Sequence, residues 1–303
     1  LLDARLSSSV PFAAGLREIV PAGEPIRADE GVDTGVTESA PPATATAIDF
    51  GSISKSFIRP GAKPLEVLRR VSFVVPRGAV VAILGPSGCG KSTLLNMAAG
   101  LIAPDSGSVA VMSQDVVSGN VDWSRLGYMF QDDRLLPWRS ARQNVALALE
   151  TGKMASRERM ARAEAALGLV ELAGFADAYP HELSGGMRSR VALARSLVGE
   201  PNILLMDEPF SRLDAQTRSA MHRELLRIQA LRHMTILFVT HEIEEAVVLA
   251  DQIIVMAPRP GRIRTEVPVT IPQPRIGAAA TTALVNELRA SLGEAEPALE
   301  SNA

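Results

Sequence analysis

A single cysteine, Cys89, stands among the 303 residues. The chain therefore cannot make an internal disulfide, and a reducing compartment suits it. Basic residues are not in excess: 31 Lys and Arg face 34 Asp and Glu, a net charge of −3. That removes the electrostatic argument for a nucleic-acid partner, because such domains carry a basic surplus. Long hydrophobic runs are missing as well. The longest apolar stretches are of strand length, such as 79–84, far from the roughly 18 residues of a membrane span. Nor does the N-terminus show the basic, apolar and small-residue order of a secretory signal. The expectation is a cytoplasmic protein whose membrane work, if it has any, depends on partners. Apolar residues as a class are plentiful, at 47%, enough for a sizeable core in one large domain or two modest ones.

Composition divides the chain. Residues 1–46 are rich in Ala, Pro, Thr, Gly and acidic residues, with the low-complexity run APPATATA at 40–47. This segment is expected to be a disordered arm, with Leu16, Ile19 and Val20 as a short amphipathic turn at most. Strands are expected at 47–57, 65–75 and 79–84, with a turn at Pro60-Gly61. A helix is expected at 92–101, a turn at 104–107, and strands at 108–112 and 126–130. From 131 to 199 the pattern turns helical, with apolar residues at helical spacing in 142–150 and 157–169. Pro180 breaks this run, and Ser184 is placed to cap a helix over 185–199. Strand and helix then alternate: 203–206, 215–231, 235–239, 242–250 and 252–256. Such alternation implies βαβ units and a parallel sheet. The tail, 272–303, reads as a linker and a short helix near 281–292, too small for a further regulatory domain.

The nine residues GPSGCGKST carry the chemistry: Gly85, Pro86, Ser87, Gly88, Cys89, Gly90, Lys91, Ser92 and Thr93. They fit the phosphate-loop pattern G-x-x-x-x-G-K-[ST] and stand between an expected strand and an expected helix, the context the motif requires. The glycines let backbone N–H groups converge on phosphate oxygens, and the helix start adds a positive dipole end. Lys91 should reach the β- and γ-phosphates, Ser92 a Mg²⁺ ion and Thr93 the α-phosphate. A second acidic element, ILLMDEP at 203–209, ends an apolar strand in two carboxylates. Asp207 suits a Mg²⁺ ligand. Glu208 suits the general base that polarises an attacking water, an effect worth ~10²–10⁴-fold. Taken without the phosphate loop, ILLMDEP reads equally as a surface acidic turn after a core strand.

LSGGMRSR, 183–190, lies about ninety residues beyond the phosphate loop. Ser184, Gly185 and Gly186 at a helix start form a second anion-binding end. Two helix starts cannot grip one γ-phosphate within one compact fold without crowding.

Phosphate loop, LSGG, a strand ending in Asp-Glu and a later His, in that order, resemble the ABC-type ATPase domains, over about 47–269. The resemblance implies a P-loop NTPase (RecA-like) α/β core with an antiparallel β subdomain and an inserted α-helical subdomain at about 131–199, within an ATPase domain spanning 47–271. It implies ATP and Mg²⁺ as cofactors, and a dimer in which LSGG of one subunit closes on ATP held by the other. It implies that Gln131 contacts the metal or lytic water and senses a membrane partner, and that His241 faces the γ-phosphate. It also places Asp214 in a loop that communicates across the dimer and Phe57 against adenine, although Phe57 could instead pack in the core. Met187, Ser189 and Arg212 depart from the usual pattern, and Arg212 sits on a dimer-facing loop. Cys89, beside Lys91 and a helix start, has neighbours that favour thiolate, so alkylation should block hydrolysis; an inert filler role is the alternative.

FQDDRLLPW (130–138), DEPFSRLDAQTR (207–218) and VMAPRPGRI (255–263) are similar to ATPase subunits of nitrate, sulfonate and taurine importers. The implied assembly is a homodimer, or an ATPase heterodimer, bound to transmembrane permease subunits at the cytoplasmic face of the membrane and working indirectly with a solute-binding protein. Leu135, Leu136, Pro137 and Trp138 are then expected to help form a groove for a permease helix. Soluble ABC-type ATPases of DNA repair or translation are the other reading. The first needs a long coiled coil between Lys91 and Ser184, and no sustained heptads lie there; the second usually has two ATPase units in one chain.

Overall fold

The computed structural model describes residues 45–293, apart from 59–60, 62, 119–120 and 276–277. The expected N-terminal arm, its Leu16–Val20 turn and the Pro60 half of the Pro60-Gly61 turn lie outside the described residues.

In chain order the strands and helices are β1 (Thr46–Phe57), β2 (Leu65–Pro76), β3 (Val80–Leu84), α1 (Lys91–Ala98), β4 (Ser106–Val111), β5 (Gln114–Asp115), β6 (Leu126–Met129), α2 (Ala141–Ala146), α3 (Ser156–Leu169), α4 (Gly185–Leu197), β7 (Ile203–Asp207), α5 (Ala215–Arg232), β8 (Thr235–Thr240), α6 (Ile243–Leu249), β9 (Gln252–Met256), β10 (Ile263–Pro268) and α7 (Ala279–Gly293). They build a six-stranded sheet, β10-β9-β3-β8-β7-β6, and a four-stranded sheet, β2-β1-β4-β5. Within the first, β9, β3, β8, β7 and β6 run parallel, and β10 pairs antiparallel with β9. The second sheet is antiparallel throughout.

Strand periodicity of two explains how the layers are held. Val80, Ala82, Leu84, Leu204, Met206, Ile236, Phe238, Ile253 and Val255 point into one core, shared with α2 through α7. Their neighbours Val81, Ile83, Ile203, Leu205, Leu237, Val239, Ile254 and Met256 point into a second, shared with β1, β2, β4 and α1. The central strands are thus apolar on both faces, as buried parallel strands must be.

Most expected elements are present, with their ends set by local chemistry. Ser184 caps α4, its Oγ accepting from the Met187 N–H at 3.2 Å. The helix expected at 92–101 stops at Ala98, because Gly100 turns left-handed (φ +69°) with Trp123 packed against it. The helix expected at 142–150 begins one residue earlier, under a Ser140–Gln143 capping box, and tightens into a 3₁₀ turn over Leu147–Leu149. Residues 106–107 already belong to β4 rather than to a preceding turn. Two strands were not anticipated, β5 and β10. The helical insertion joins β6 to β7, adjacent strands of the large sheet. Its longest helix has 14 residues, so no coiled-coil arm of the DNA-repair kind is present among the described residues.

Candidate functional site

Four neighbouring strands, β3, β8, β7 and β6, are parallel and in matched register: Leu84 lies beside Thr240, Val239 beside Asp207, and Met206 beside Met129. Their carboxyl ends share one edge, where open α/β sheets place ligands. Immediately beyond those ends come the phosphate loop, His241, Glu208 and Gln131. Sheet topology therefore gathers residues that are far apart in the chain.

The loop leaves β3 at Gly85 and enters α1 through Gly90, which is left-handed (φ +101°), as is Gly88 (φ +79°). These are conformations an L side chain adopts at a cost. Lys91 is buried, and its Nζ donates to the Gly85 carbonyl at 2.8 Å and the Pro86 carbonyl at 3.0 Å. A third N–H remains for a ligand. A cavity of about 460 Å³ opens over the loop. Phe57, Ser87, Gly88, Gly90, Lys91, Ser92, Thr93, Gln131 and Glu208 line it, together with Leu65, Val67 and Arg259, which the sequence did not single out. Phe57 is 37% exposed at the end of β1, which rules out the core-packing alternative. Gly85 and Cys89 are buried beneath the loop.

The expected reactive thiolate at Cys89 is corrected by this placement. Cys89 is 1% exposed and belongs to the second core. Burial pushes its thiol above the ordinary value and outweighs the lowering by Lys91 and Arg259 and by backbone N–H groups. A charged sulfur cannot be solvated there.

Glu208 has a left-handed backbone (φ +43°), fixed by its N–H donating to the Val239 carbonyl at 3.0 Å. A non-glycine residue holds that conformation only where its surroundings impose it. One oxygen, Oε2, accepts from Gln131 Nε2 at 3.2 Å and lies 3.3 Å from His241 Nδ1. Ser92 Oγ donates to Asp207 Oδ1 at 2.9 Å. Burial raises the Asp207 carboxyl above its ordinary value, the Glu208 charge adds to this, and the Ser92 hydrogen bond opposes it. No three His, Cys, Asp or Glu residues among those described cluster as a closed metal cage. Mg²⁺ needs none: it keeps waters and takes one or two carboxylates plus phosphate oxygens. The hard oxygens of Ser92 and Asp207, held together, fit such a site.

Ser184, Gly185 and Gly186 line a different cavity, of about 550 Å³, with Met187, Arg190, Arg212, Asp214 and Thr217. It shares no lining residue with the first. Asp214 caps α5, accepting from the N–H groups of Gln216 and Thr217, and these bonds, Thr217 foremost, hold its carboxyl below the usual range. The three departures from the pattern have local partners. Met187 packs against the first core, Ser189 Oγ donates to the Gly185 carbonyl at 3.2 Å, and Arg212 pairs with Asp132. The segment after Gln131 is also tied to α4, where Arg188 pairs with Asp133 at 3.0 Å and Arg195 donates to the Arg134 carbonyl at 2.9 Å. Beyond it, buried Asn144 shapes the 135–139 loop, accepting from the Leu136 N–H and donating to the carbonyls of Leu136, Arg139 and Ser140. Pro137 and Trp138 project outward, Trp138 at 69% exposure.

Comparison with known proteins agrees with this geometry. The ABC transporter family model matches residues 68–211. The taurine import ATP-binding protein TauB of Rhizobium johnstonii is 48% identical over 201 residues, 66% of this chain and 76% of that protein. The chain belongs to the ABC transporter ATP-binding family. A further relative, the aliphatic sulfonates import ATP-binding protein SsuB of Bacillus cereus, is 37% identical over 228 residues, 75% of this chain and 88% of that protein. Among solved structures, a dimeric ATP-binding cassette in a post-hydrolysis state, bound to ADP and Pi, superposes with a TM-score of 0.67 at 31% identity, covering 74% of this chain and 99% of that one. The fold is that of an ABC ATPase, and ATP is the nucleotide this family binds and hydrolyses. Arg259 escaped the sequence reading because nothing local in PRPGR reveals that its side chain turns back 171 residues onto the phosphate loop.

Proposed function

We propose that this ABC ATPase powers an importer for a small anionic solute of the taurine or sulfonate kind, nitrate being the other candidate. It would work as a dimer, of identical chains or of two related ATPases, at the cytoplasmic face of a membrane. Separate permease subunits would hold it there, since no described helix is long and apolar enough to cross a bilayer. A solute-binding protein would select the cargo. Residues 47–271 would form the ATPase domain, with 272–303 a linker and short helix.

The observation that carries this reading is the separation of the two anion-binding ends. Lys91 and Ser184 line different cavities with no residue in common, so one chain offers two half-sites. Two copies facing each other complete both, each nucleotide lying between Lys91 of one and Ser184, Gly185 and Gly186 of the other. Phe57 would stack on adenine, a contact worth ~1–3 kcal/mol in base-binding proteins. Loop N–H groups from Ser87 to Gly90, with Lys91 and Thr93, would hold the phosphates. Ser92, Asp207 and Gln131 would hold Mg²⁺, which when bound neutralises charge on the β- and γ-phosphate oxygens. Glu208 Oε2 would take the proton of the attacking water, oriented by Gln131 and His241. Asp214 would report across the dimer, and Trp138 and its apolar neighbours would meet the permease.

Cross-linking and light scattering of Glu208→Gln with ATP test the reading. Dimers that dissociate on nucleotide removal are expected. Single molecules only, even with permease subunits present, would sink it.

A further inference from the structure

A phosphate loop works because its N–H groups face inward, so its carbonyls must face outward and find donors there. In this chain four of the loop carbonyls have a hydrogen-bond partner. The Gly85 and Pro86 carbonyls accept from Lys91 Nζ, and the Gly90 carbonyl accepts from the Leu94 N–H at 3.1 Å within α1. The Gly88 carbonyl, at the crest, accepts from Arg259, through Nε at 3.2 Å and Nη2 at 3.1 Å.

Arg259 is delivered by the β9–β10 connection, which lies against the loop. Gly261 is so close to it that an added Cβ would fall 1.9 Å from the Cys89 carbonyl oxygen. The same glycine is bonded to β2: its N–H donates to the Val67 carbonyl at 2.8 Å, and its carbonyl accepts from the Arg69 N–H at 2.9 Å. The connection is thus pinned at Gly261 while Arg259 reaches forward. The guanidinium is exposed and lines the cavity beside Ser87 and Gly88. A positive charge therefore stands at the crest, among the residues that line the cavity. Gly88 leaves the room for it, since a Cβ there would come within 2.8 Å of Arg259 Nη2.

We propose that Arg259 is a positioning residue for the nucleotide phosphates: its forked donation holds the Gly88 carbonyl outward and so keeps the crest of the loop in its anion-binding form. This rests on the reading of Gly85–Thr93 as the nucleotide loop. Because loop N–H groups cradle the phosphates that ATP and ADP share, the clamp favours both nucleotides alike. Its contribution lies in binding rather than in the hydrolytic step, which belongs to Glu208.

Titration of the full-length protein with fluorescent ATP and ADP analogues, alongside steady-state hydrolysis, tests this with Arg259→Ala, Arg259→Lys and, as reference, Lys91→Ala. For Arg259→Ala the affinity for both nucleotides falls about tenfold, the scale of losing one charge-assisted bond. KM rises with it, kcat changes little, and the nucleotide-free melting temperature stays that of the wild type, since the side chain is exposed. Arg259→Lys restores part of the affinity through a single donor without the fork. Wild-type affinity in Arg259→Ala, or a fall in kcat at unchanged KM, overturns the clamp. Should Lys91→Ala also bind as the wild type does, the loop's own assignment fails with it, which separates the two failures.

Discussion

His241 Nδ1 lies 3.3 Å from Glu208 Oε2, the same oxygen that accepts from Gln131 Nε2 at 3.2 Å. Three loops following three different strands therefore converge on one carboxylate oxygen. Two polar partners fix where it points, and the left-handed backbone at Glu208 leaves the side chain little choice of direction. Glu208→Gln keeps the shape and the acceptor but removes the base. Hydrolysis should fall by ~10²–10⁴-fold while ATP affinity stays within a few-fold, read by single-turnover kinetics and nucleotide titration. Turnover near wild type would take Glu208 out of the base role.

Asp207 carries a different expectation, about stability. Its carboxyl is raised above the ordinary value of 3.8, mainly by burial. A raised carboxyl means the folded protein holds the proton more tightly than the unfolded chain does. Its contribution to stability is therefore complete below pH 3.8 and is lost as pH rises through the folded-state value. At neutral pH and without nucleotide the ionised group is a liability. Asp207→Asn can still accept from Ser92 Oγ, so it should melt higher than wild type at pH 7 and lose that advantage toward pH 4. Its Mg²⁺-dependent hydrolysis should be nearly abolished. Equal melting temperatures across this range would contradict the burial argument.

How much of this was readable beforehand depends on whether the cause was local. The phosphate loop, the Ser184 cap and the apolar strand before Asp207 were legible, because each is a short pattern with its own physical signature. The same holds for the sheet, since βαβ alternation leaves few topologies open. β10 was not legible: Arg264, Thr265 and Glu266 are exposed on it and Pro268 ends it, so it reads as tail until β9 offers an edge. Cys89 shows the limit most clearly. The charges that would activate it are its sequence neighbours. The burial that silences it comes from the second core, built by β1, β2, β3, β4 and α1, which no local pattern announces.

Cys89 should consequently react slowly. A buried thiol with a raised pKa offers little thiolate at neutral pH, and its modification by Ellman's reagent should be far slower than that of a free cysteine. It should speed up only when urea opens the fold. Added ATP should make little difference, because the core and not the nucleotide covers the sulfur. Rapid native-state labelling that ATP suppresses would restore the thiolate expectation.

Arg275 is 3% exposed, which a guanidinium tolerates only when its donors are met. Its Nη1 reaches the Val247 and Ala250 carbonyls at the end of α6, its Nε donates to the Ile271 carbonyl at 2.6 Å, and its Nη2 donates to the Val269 carbonyl at 3.3 Å. The Arg275 carbonyl in turn accepts from Thr281 Oγ1 at 2.8 Å, at the start of α7, whose Val285 and Leu288 are buried in the first core. One side chain thus closes the end of α6 and anchors the segment leading to α7. Arg275→Met keeps much of the stem but abandons four carbonyls, so it should cost about 2–4 kcal/mol in urea unfolding and hasten proteolytic loss of α7. Arg289, which joins α7 to α6 through Glu244 with both side chains exposed, supplies the contrast. An exposed ion pair contributes ~0–1 kcal/mol, so Arg289→Ala should leave both measurements nearly unchanged. If the two variants behave alike, the tail is held by its apolar face and not by Arg275.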